Sequence, residues 1–84
     1  MKYVIVNETN PRAMRLQSIG NVLGTPASEV KKGDFLMWNF GSKSEVIDII
    51  NETKSFITAK MRSEGGYEGE RKLKKTRLVC ILEK

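Results

Sequence analysis

Turn signals are spaced so closely along this sequence that no long element fits between them. Clusters rich in Gly, Pro, Asn, Asp and Ser recur at short intervals, among them NETNP (7–11), KKGD (31–34), GSKS (41–44) and NETK (51–54). The segments between them are apolar and rich in β-branched residues, as in EVIDII (45–50). This alternation predicts short strands joined by tight turns, with no long helix.

Five segments carry the strongest strand signal. We predict strands at KYVIV (2–6), FLMWNF (35–40), EVIDII (45–50), SFITAKM (55–61) and RKLKKTRLVCIL (71–82). In the second of these segments, apolar residues fall on both faces, which indicates a central or strongly curved strand. The Gly-rich stretch RSEGGYEGE (62–70) is predicted to be a connection.

Three segments leave room for a helix. Residues 12–19 fit a short helix framed by Pro11 and Gly20, but Met14 and Leu16 also alternate with polar neighbours, and we prefer a strand. ASEV (27–30) suits a single helical turn.

A capping-box pattern, Ser42 followed by Glu45, permits a helix over 45–50. We prefer a strand there because the segment is short and β-branched. Taken together, the segments predict an all-β fold. We expect one domain over residues 1–84, a small antiparallel barrel of five or six short strands, closed or nearly closed, with one short helix or helical turn.

The stretch VKKGDFLMWNFGSKSEVIDI (30–49) resembles the start of an SH3-like barrel. In such domains a Gly-Asp pair opens a strand, a turn follows, and the next strand ends in V-x-x-I. The KOW and Tudor-like branches share this outline. The resemblance implies a meander of strands around a small core, with Gly33-Asp34 at the turn, and the hydrophobic spacing extends it over 13–82.

The composition excludes several chemistries. There is no histidine, which excludes Ser-His-Asp and Cys-His catalysis and ordinary zinc ligation. The single cysteine, Cys80, excludes an intramolecular disulfide, and we expect it to be a small core residue in a reducing compartment. We predict a non-enzymatic, cytoplasmic protein with no catalytic residue, no cofactor and no metal. No signal peptide or membrane span is expected.

The net charge of +5 lies entirely at the C-terminal end. The chain has 15 basic and 10 acidic residues, and residues 71–84 hold six of the basic and one of the acidic ones. The rest is therefore neutral, with nine of each. Such a cluster indicates a surface directed at an anionic partner.

Most of this excess belongs to the stretch RKLKKTR (71–77), whose cations are Arg71, Lys72, Lys74, Lys75 and Arg77. As a strand, the stretch spans roughly 20–23 Å, the length of about three or four phosphates on one strand of a duplex. We predict these five cations and Tyr67 as the residues that bind nucleic acid or another partner. The alternative is that they form only the solvated face of a strand.

Charged and apolar residues do not alternate regularly along this stretch, as they would in a half-buried strand. Lys72 and Lys74 share one face, whereas Arg71, Lys75 and Arg77 fall on the face of the apolar Leu73, so we expect a bulge or an extension beyond the core. Three acidic residues that come just before the stretch are expected to pair with it, namely Glu64, Glu68 and Glu70.

The aromatic residues divide into two groups. Tyr67, in the loop GGYEG, is the ring most expected to be exposed and free to stack on a base. Trp38, Phe35 and Phe40 are expected in the core, because a barrel of this size needs large side chains to fill it.

Two functions follow as hypotheses. The first is sequence-independent binding of DNA or RNA through the C-terminal basic strand, with salt-sensitive phosphate contacts. The alternative is a protein-interaction adaptor, or a phage or mobile-element protein, that binds an acidic partner and no nucleic acid. In style the chain resembles the small basic proteins of bacteriophages and mobile elements. Neither hypothesis involves a membrane.

Overall fold

The computed structural model describes residues 1–83, and across that range the regular structure is β apart from one short 3₁₀ helix. No helix in the same range is long and apolar enough to cross a bilayer. The strands are β1 Ala13–Leu16, β2 Gly20–Leu23, β3 Thr25–Pro26, β4 Phe35–Met37, β5 Lys43–Glu52, β6 Phe56–Ser63, β7 Glu68–Lys74 and β8 Leu78–Ile81, and the 3₁₀ helix is Ala27–Glu29.

These strands form two antiparallel sheets, which confirms the all-β prediction. β1 and β2 make a hairpin, and the other six strands follow the order β3-β8-β4-β5-β6-β7. The structure differs from the predicted barrel in one respect, because the six-stranded sheet does not close. At one end β3 contributes only two residues, since Pro26 has no N–H with which to extend the ladder and the chain then enters the 3₁₀ helix.

The long meander β5-β6-β7 confirms the strand prediction for 45–50 and extends it. Its first strand has register shifts between Val46 and Asp48 and between Ile49 and Asn51. A bulge re-aims the residues beyond it. Val46 is therefore buried while Asp48, which simple alternation would place on the same face, is exposed.

The N-terminal prediction is wrong, because residues 2–6 do not form a strand. They run beside β2 and the C-terminal end with single bridges at Lys2–Glu83 and Ile5–Val22. Their β-branched composition is strand-like, but among residues 1–83 these bridges do not extend into a continuous ladder, and Tyr3, Val4 and Ile5 remain exposed.

Two ambiguous segments are settled by the structure. Residues 12–19 contain the strand β1 followed by a turn, as preferred, and the helical turn predicted at 27–30 is the 3₁₀ helix. The strand expected over 35–40 is shorter, because β4 ends at Met37. Its central position is confirmed, since β4 lies between β8 and β5.

The core consists of two clusters that share β4 and β8. The first lies against β5, β6 and β7, and the second joins the β1-β2 hairpin to the large sheet. Because alternate residues of a strand point to opposite faces, Leu36 enters the first cluster and Met37 the second. Val79 and Cys80 divide in the same way, which explains the unbroken apolar sequence of β8.

Candidate functional site

The basic stretch 71–77 is part of a hairpin and does not form one strand with 78–82 as predicted. Its first four residues end β7, and a turn follows in which the Arg77 amide donates to the Lys74 carbonyl at 2.9 Å. β7 pairs with β6 in continuous register from Glu68 to Lys74, so the expected bulge is absent from it. Lys75 and Arg77 lie in this turn and not in a strand. The alternation of side chains between the two faces of a strand, which predicted that they point inward, therefore does not apply to them.

Arg71 is the one cation of the stretch that does lie on the inward face of β7. It is two residues from the fully buried Leu73 and pairs in register with the buried Ala59. At this end of the sheet Trp38 covers the core, and the Arg71 guanidinium carbon is 4.3 Å from the centre of its ring. The cation therefore lies on an aromatic face and stays out of the apolar core.

Trp38 provides a fixed platform for that cation. Its indole Nε1 donates to the Ser44 Oγ at 3.0 Å, and its ring packs against the first core cluster. Trp38 is half-buried, so the core position predicted for it is correct only in part. A cation over a tryptophan ring contributes about 0.5–1 kcal/mol when exposed and more when desolvated.

Phe40 is exposed, which overturns its predicted place in the core. The chain turns directly after β4, where the Trp38 amide donates to the Ser42 carbonyl at 2.8 Å and the Gly41 amide to the Trp38 carbonyl at 2.9 Å. Gly41 has φ +84°, a conformation that favours glycine. This tight turn leaves the Phe40 side chain 74% exposed.

A second tight turn, between β6 and β7, exposes Tyr67 as predicted. The Ser63 amide donates to the Tyr67 carbonyl at 2.8 Å, and the Gly66 amide donates to the Ser63 carbonyl at 2.9 Å. Gly66 has φ +85°. Tyr67 is 82% exposed, and its ring lies against Gly65, where an added Cβ would be 3.3 Å from two ring carbons.

A groove of about 390 Å³ lies between the two sheets, and we call it the arginine groove. Three arginines are among its lining residues, Arg15 on β1, Arg71 on β7 and Arg77 in the turn before β8. Trp38 and Phe40 line it as well, and none of its described lining residues is acidic. Its volume is within the range typical of ligand sites.

The arginine groove is bounded by two turns that are joined to each other. The Ser18 amide and the Ser18 Oγ both donate to the Asn39 carbonyl, each at 2.9 Å. Ser18 lies in the turn between β1 and β2, and Asn39 in the turn after β4. These bonds fix the distance of Arg15 and its hairpin from the aromatic side chains across the groove.

A smaller groove of about 210 Å³ adjoins the first, and we call it the tyrosine groove. Both grooves are lined by Trp38 and Arg71, and the smaller one also by Tyr67, Gly69 and Glu70. A Cβ at Gly69 would meet no atom within 4 Å, so the space above it is open. A continuous surface therefore leads from Phe40 past the Trp38–Arg71 stack to Tyr67.

Two of the three acidic residues expected to pair with the basic stretch, Glu64 and Glu68, have other partners, and no ion pair of Glu70 is found among residues 1–83. Glu64 accepts a hydrogen bond from the Lys43 amide at 2.7 Å, and Glu68 forms ion pairs with Arg62 and Lys60. The hydrogen bond from Arg62 is the largest of the effects that lower the pKa of Glu68.

The arginine groove therefore keeps its charge. Among residues 1–83, Arg15, Arg71 and Arg77 form no ion pair. Of the five cations in the basic stretch, Lys75 is ion-paired, with 2.6 Å between its Nζ and the Glu52 Oε2. The guanidinium donors of Arg15, Arg71 and Arg77 are therefore available to an external anion.

The six predicted binding residues thus divide between different surfaces. Arg71, Arg77 and Tyr67 line the two grooves. Lys72 and Lys74 alternate with the buried Leu73 and point to the opposite face of β7, where the Lys72 Nζ is 4.5 Å from the centre of the Phe56 ring.

Sequence reasoning missed two groove residues, Arg15 and Phe40. Arg15 is a single cation in an ambiguous segment, remote in sequence from the basic stretch, so no local signal indicated it. For Phe40 a signal existed, because the predicted turn GSKS begins directly after it, but the strand was extended to Phe40, three residues beyond the end of β4 at Met37.

Cys80 lines the arginine groove at its base but is only 1% exposed, which confirms its predicted place in the core. Burial raises the pKa of this thiol. We therefore expect an aromatic disulfide reagent at about pH 8 to react far more slowly with the native protein than with the protein unfolded in guanidinium chloride. Equal rates would contradict the buried position.

The same pKa shift predicts an alkaline effect on stability. Because the folded state holds the thiol proton more tightly than the unfolded state, the free energy of unfolding should decrease as the pH rises above about 8.5. A Cys80→Ser variant, which has no thiol to titrate, is the matched control for this pH dependence.

No protein-family model, curated protein or solved structure matches this chain. Its function must therefore be inferred from the groove geometry and from the charges of the residues that line it. The convergence of three arginines and exposed aromatic rings on one surface is the most informative feature of that geometry.

Proposed function

We propose that this protein is a non-enzymatic nucleic-acid-binding module that contacts phosphates through the arginine groove. The observation that supports the proposal is the convergence of Arg15, Arg71 and Arg77 on one groove whose described lining residues include no acidic one. The proposal retains the C-terminal cations as the source of attraction, but places the centre of contact at the groove.

Guanidinium groups suit phosphate oxygens better than ammonium groups do. Each presents a planar set of N–H donors that can bind a phosphate at two points, and each keeps its charge throughout the physiological pH range. The three groups come from three separate elements, β1, β7 and the turn before β8. The proposal assigns one phosphate contact to each of the three.

The net charge of +5 would assist the encounter with a polyanion. An uneven charge distribution raises the rate of association with an oppositely charged partner, and the effect weakens as salt screens it. Phosphates repeat in every sequence, so contacts of this kind carry no sequence information. The proposed binding is therefore independent of base sequence.

The test is a salt titration with fluorescently labelled oligonucleotides followed by anisotropy. Three phosphate contacts predict a log–log slope of about −2.1 on single strands and about −2.7 on duplexes. Affinity for single strands should then decrease roughly 18-fold between about 50 and 200 mM salt. Absence of binding at 50 mM salt would refute the proposal.

Polyglutamate of matched total charge is the control for the alternative function, binding of an acidic protein. It should displace the labelled oligonucleotide poorly, because planar carboxylates on flexible side chains do not reproduce the spacing or the tetrahedral geometry of backbone phosphodiesters. Equal displacement by polyglutamate and by unlabelled oligonucleotide would instead favour an acidic protein partner.

A further inference from the structure

Two exposed aromatic rings lie at either end of the joined grooves. Phe40 and Tyr67 are each held outward by a tight turn that requires a glycine at positive φ, Gly41 and Gly66 respectively. Neither ring contributes to a core cluster. Because exposed apolar rings do not stabilise the fold, two of them beside a cationic groove indicate a role in binding.

A third flat surface lies between those rings. One face of the Trp38 ring is covered by the Arg71 guanidinium, and the hydrogen bond from the indole to Ser44 holds the ring in place. Bases stack on guanidinium planes as well as on aromatic rings. Arg71 can therefore accept a base on the face that it turns away from Trp38.

The two grooves differ in their lining. Three arginines line the arginine groove, and none of its described lining residues is acidic. The tyrosine groove is lined by the exposed ring of Tyr67 and has open space above Gly69, where a flat base fits. The arginine groove thus suits the backbone of a strand, and the tyrosine groove suits its bases.

We infer that the ligand of this surface is single-stranded nucleic acid, with its phosphates in the arginine groove and its bases stacked on Phe40, Arg71 and Tyr67. This inference rests on the proposed function and makes it more specific. In a duplex the bases are already stacked on one another inside the helix, so these rings could not reach them. Single strands offer their bases freely, and stacking tolerates any sequence because every base has a flat face.

The decisive experiment compares three ligands of about eight nucleotides, a length within the usual range of single-strand sites. They are a thymidine oligomer, an abasic oligomer with the same phosphates but no bases, and a duplex. Each stacked base should raise affinity about 5- to 140-fold, so the thymidine oligomer should bind at least 10-fold more tightly than the abasic one.

Trp38 supplies an independent readout, because it is the only tryptophan in the chain. A base stacked on Arg71 lies close to the indole, so the thymidine oligomer should change the Trp38 emission. The abasic oligomer, bound to saturation, should change it much less.

Variants of the two exposed rings complete the test. Phe40→Ala and Tyr67→Ala should each lower affinity for the thymidine oligomer at least 5-fold and leave affinity for the abasic oligomer unchanged. Tyr3→Ala, an exposed ring in the N-terminal segment, is the matched control and should change neither. Circular dichroism verifies that all three variants are folded.

The binding results distinguish failure of the single-strand inference from failure of the proposed function. Equal affinity for the thymidine and abasic oligomers, or tighter binding of the duplex, would overturn single-strand stacking while phosphate binding stands. Absence of binding to all three ligands at low salt would overturn the proposed function itself.

Discussion

Leu73→Ala should destabilise the protein by about 2–5 kcal/mol, the usual cost of removing a buried leucine. Leu73 is fully buried within the first core cluster and faces Ile57 across the β6-β7 ladder. A chain of this length has a total stability of about 4–12 kcal/mol. The variant should therefore lose a large part of its free energy of unfolding.

Urea denaturation followed by Trp38 emission and by circular dichroism measures this loss. Ile5→Ala is the matched control, because it shortens an aliphatic side chain that is exposed and lies outside the strands. Its effect should stay within about 0.5 kcal/mol. Similar losses in the two variants would contradict the packing described for β7.

The result matters for the binding surface because Leu73 lies in the middle of the basic stretch. Its burial fixes the rotation of β7, and that rotation turns Arg71 toward Trp38 and turns Lys72 and Lys74 to the opposite face. A core residue thus determines which cations reach the grooves.

Local signals predicted several strands, but the connection predicted over 62–70 is shorter, because β6 ends at Ser63 and β7 begins at Glu68. Turn residues and β-branched runs identified β5, β6 and β8 and the helical turn before β4, because hairpin geometry depends on a few adjacent residues. The prediction failed where a long-range contact decides the outcome. Residues 2–6 have strand composition, but their backbone hydrogen bonds are divided between β2 and Glu83, so within residues 1–83 they form isolated bridges and not a ladder.

The candidate site was predicted only in part for the same reason. Arg71, Arg77 and Tyr67 were found from the charge cluster and the glycine-rich loop. Arg15 reaches the groove only because the β1-β2 hairpin packs against β4 and β8 through the second core cluster. No periodicity or spacing in the sequence encodes that packing.

Replacing the three groove arginines should abolish most of the proposed binding. In the triple variant Arg15→Gln, Arg71→Gln and Arg77→Gln, each lost charge-assisted hydrogen bond costs at least about 1.5 kcal/mol. Affinity for a single-stranded oligonucleotide should then decrease on the order of 1,000-fold at low salt. The log–log salt slope should approach zero, since about 0.7 of slope is lost with each phosphate contact.

A second triple variant, Lys54→Gln, Lys72→Gln and Lys74→Gln, separates local contact from overall charge. It also removes three positive charges, so both variants have a formal net charge of +2, against +5 for the parent chain. These lysines are exposed, and Lys72 and Lys74 alternate with the buried Leu73 on the face of β7 opposite Arg71. Their removal should weaken binding only through the reduced long-range field, with most of the salt slope retained. Equal losses in the two variants would show that total charge, and not the arginine groove, accounts for binding.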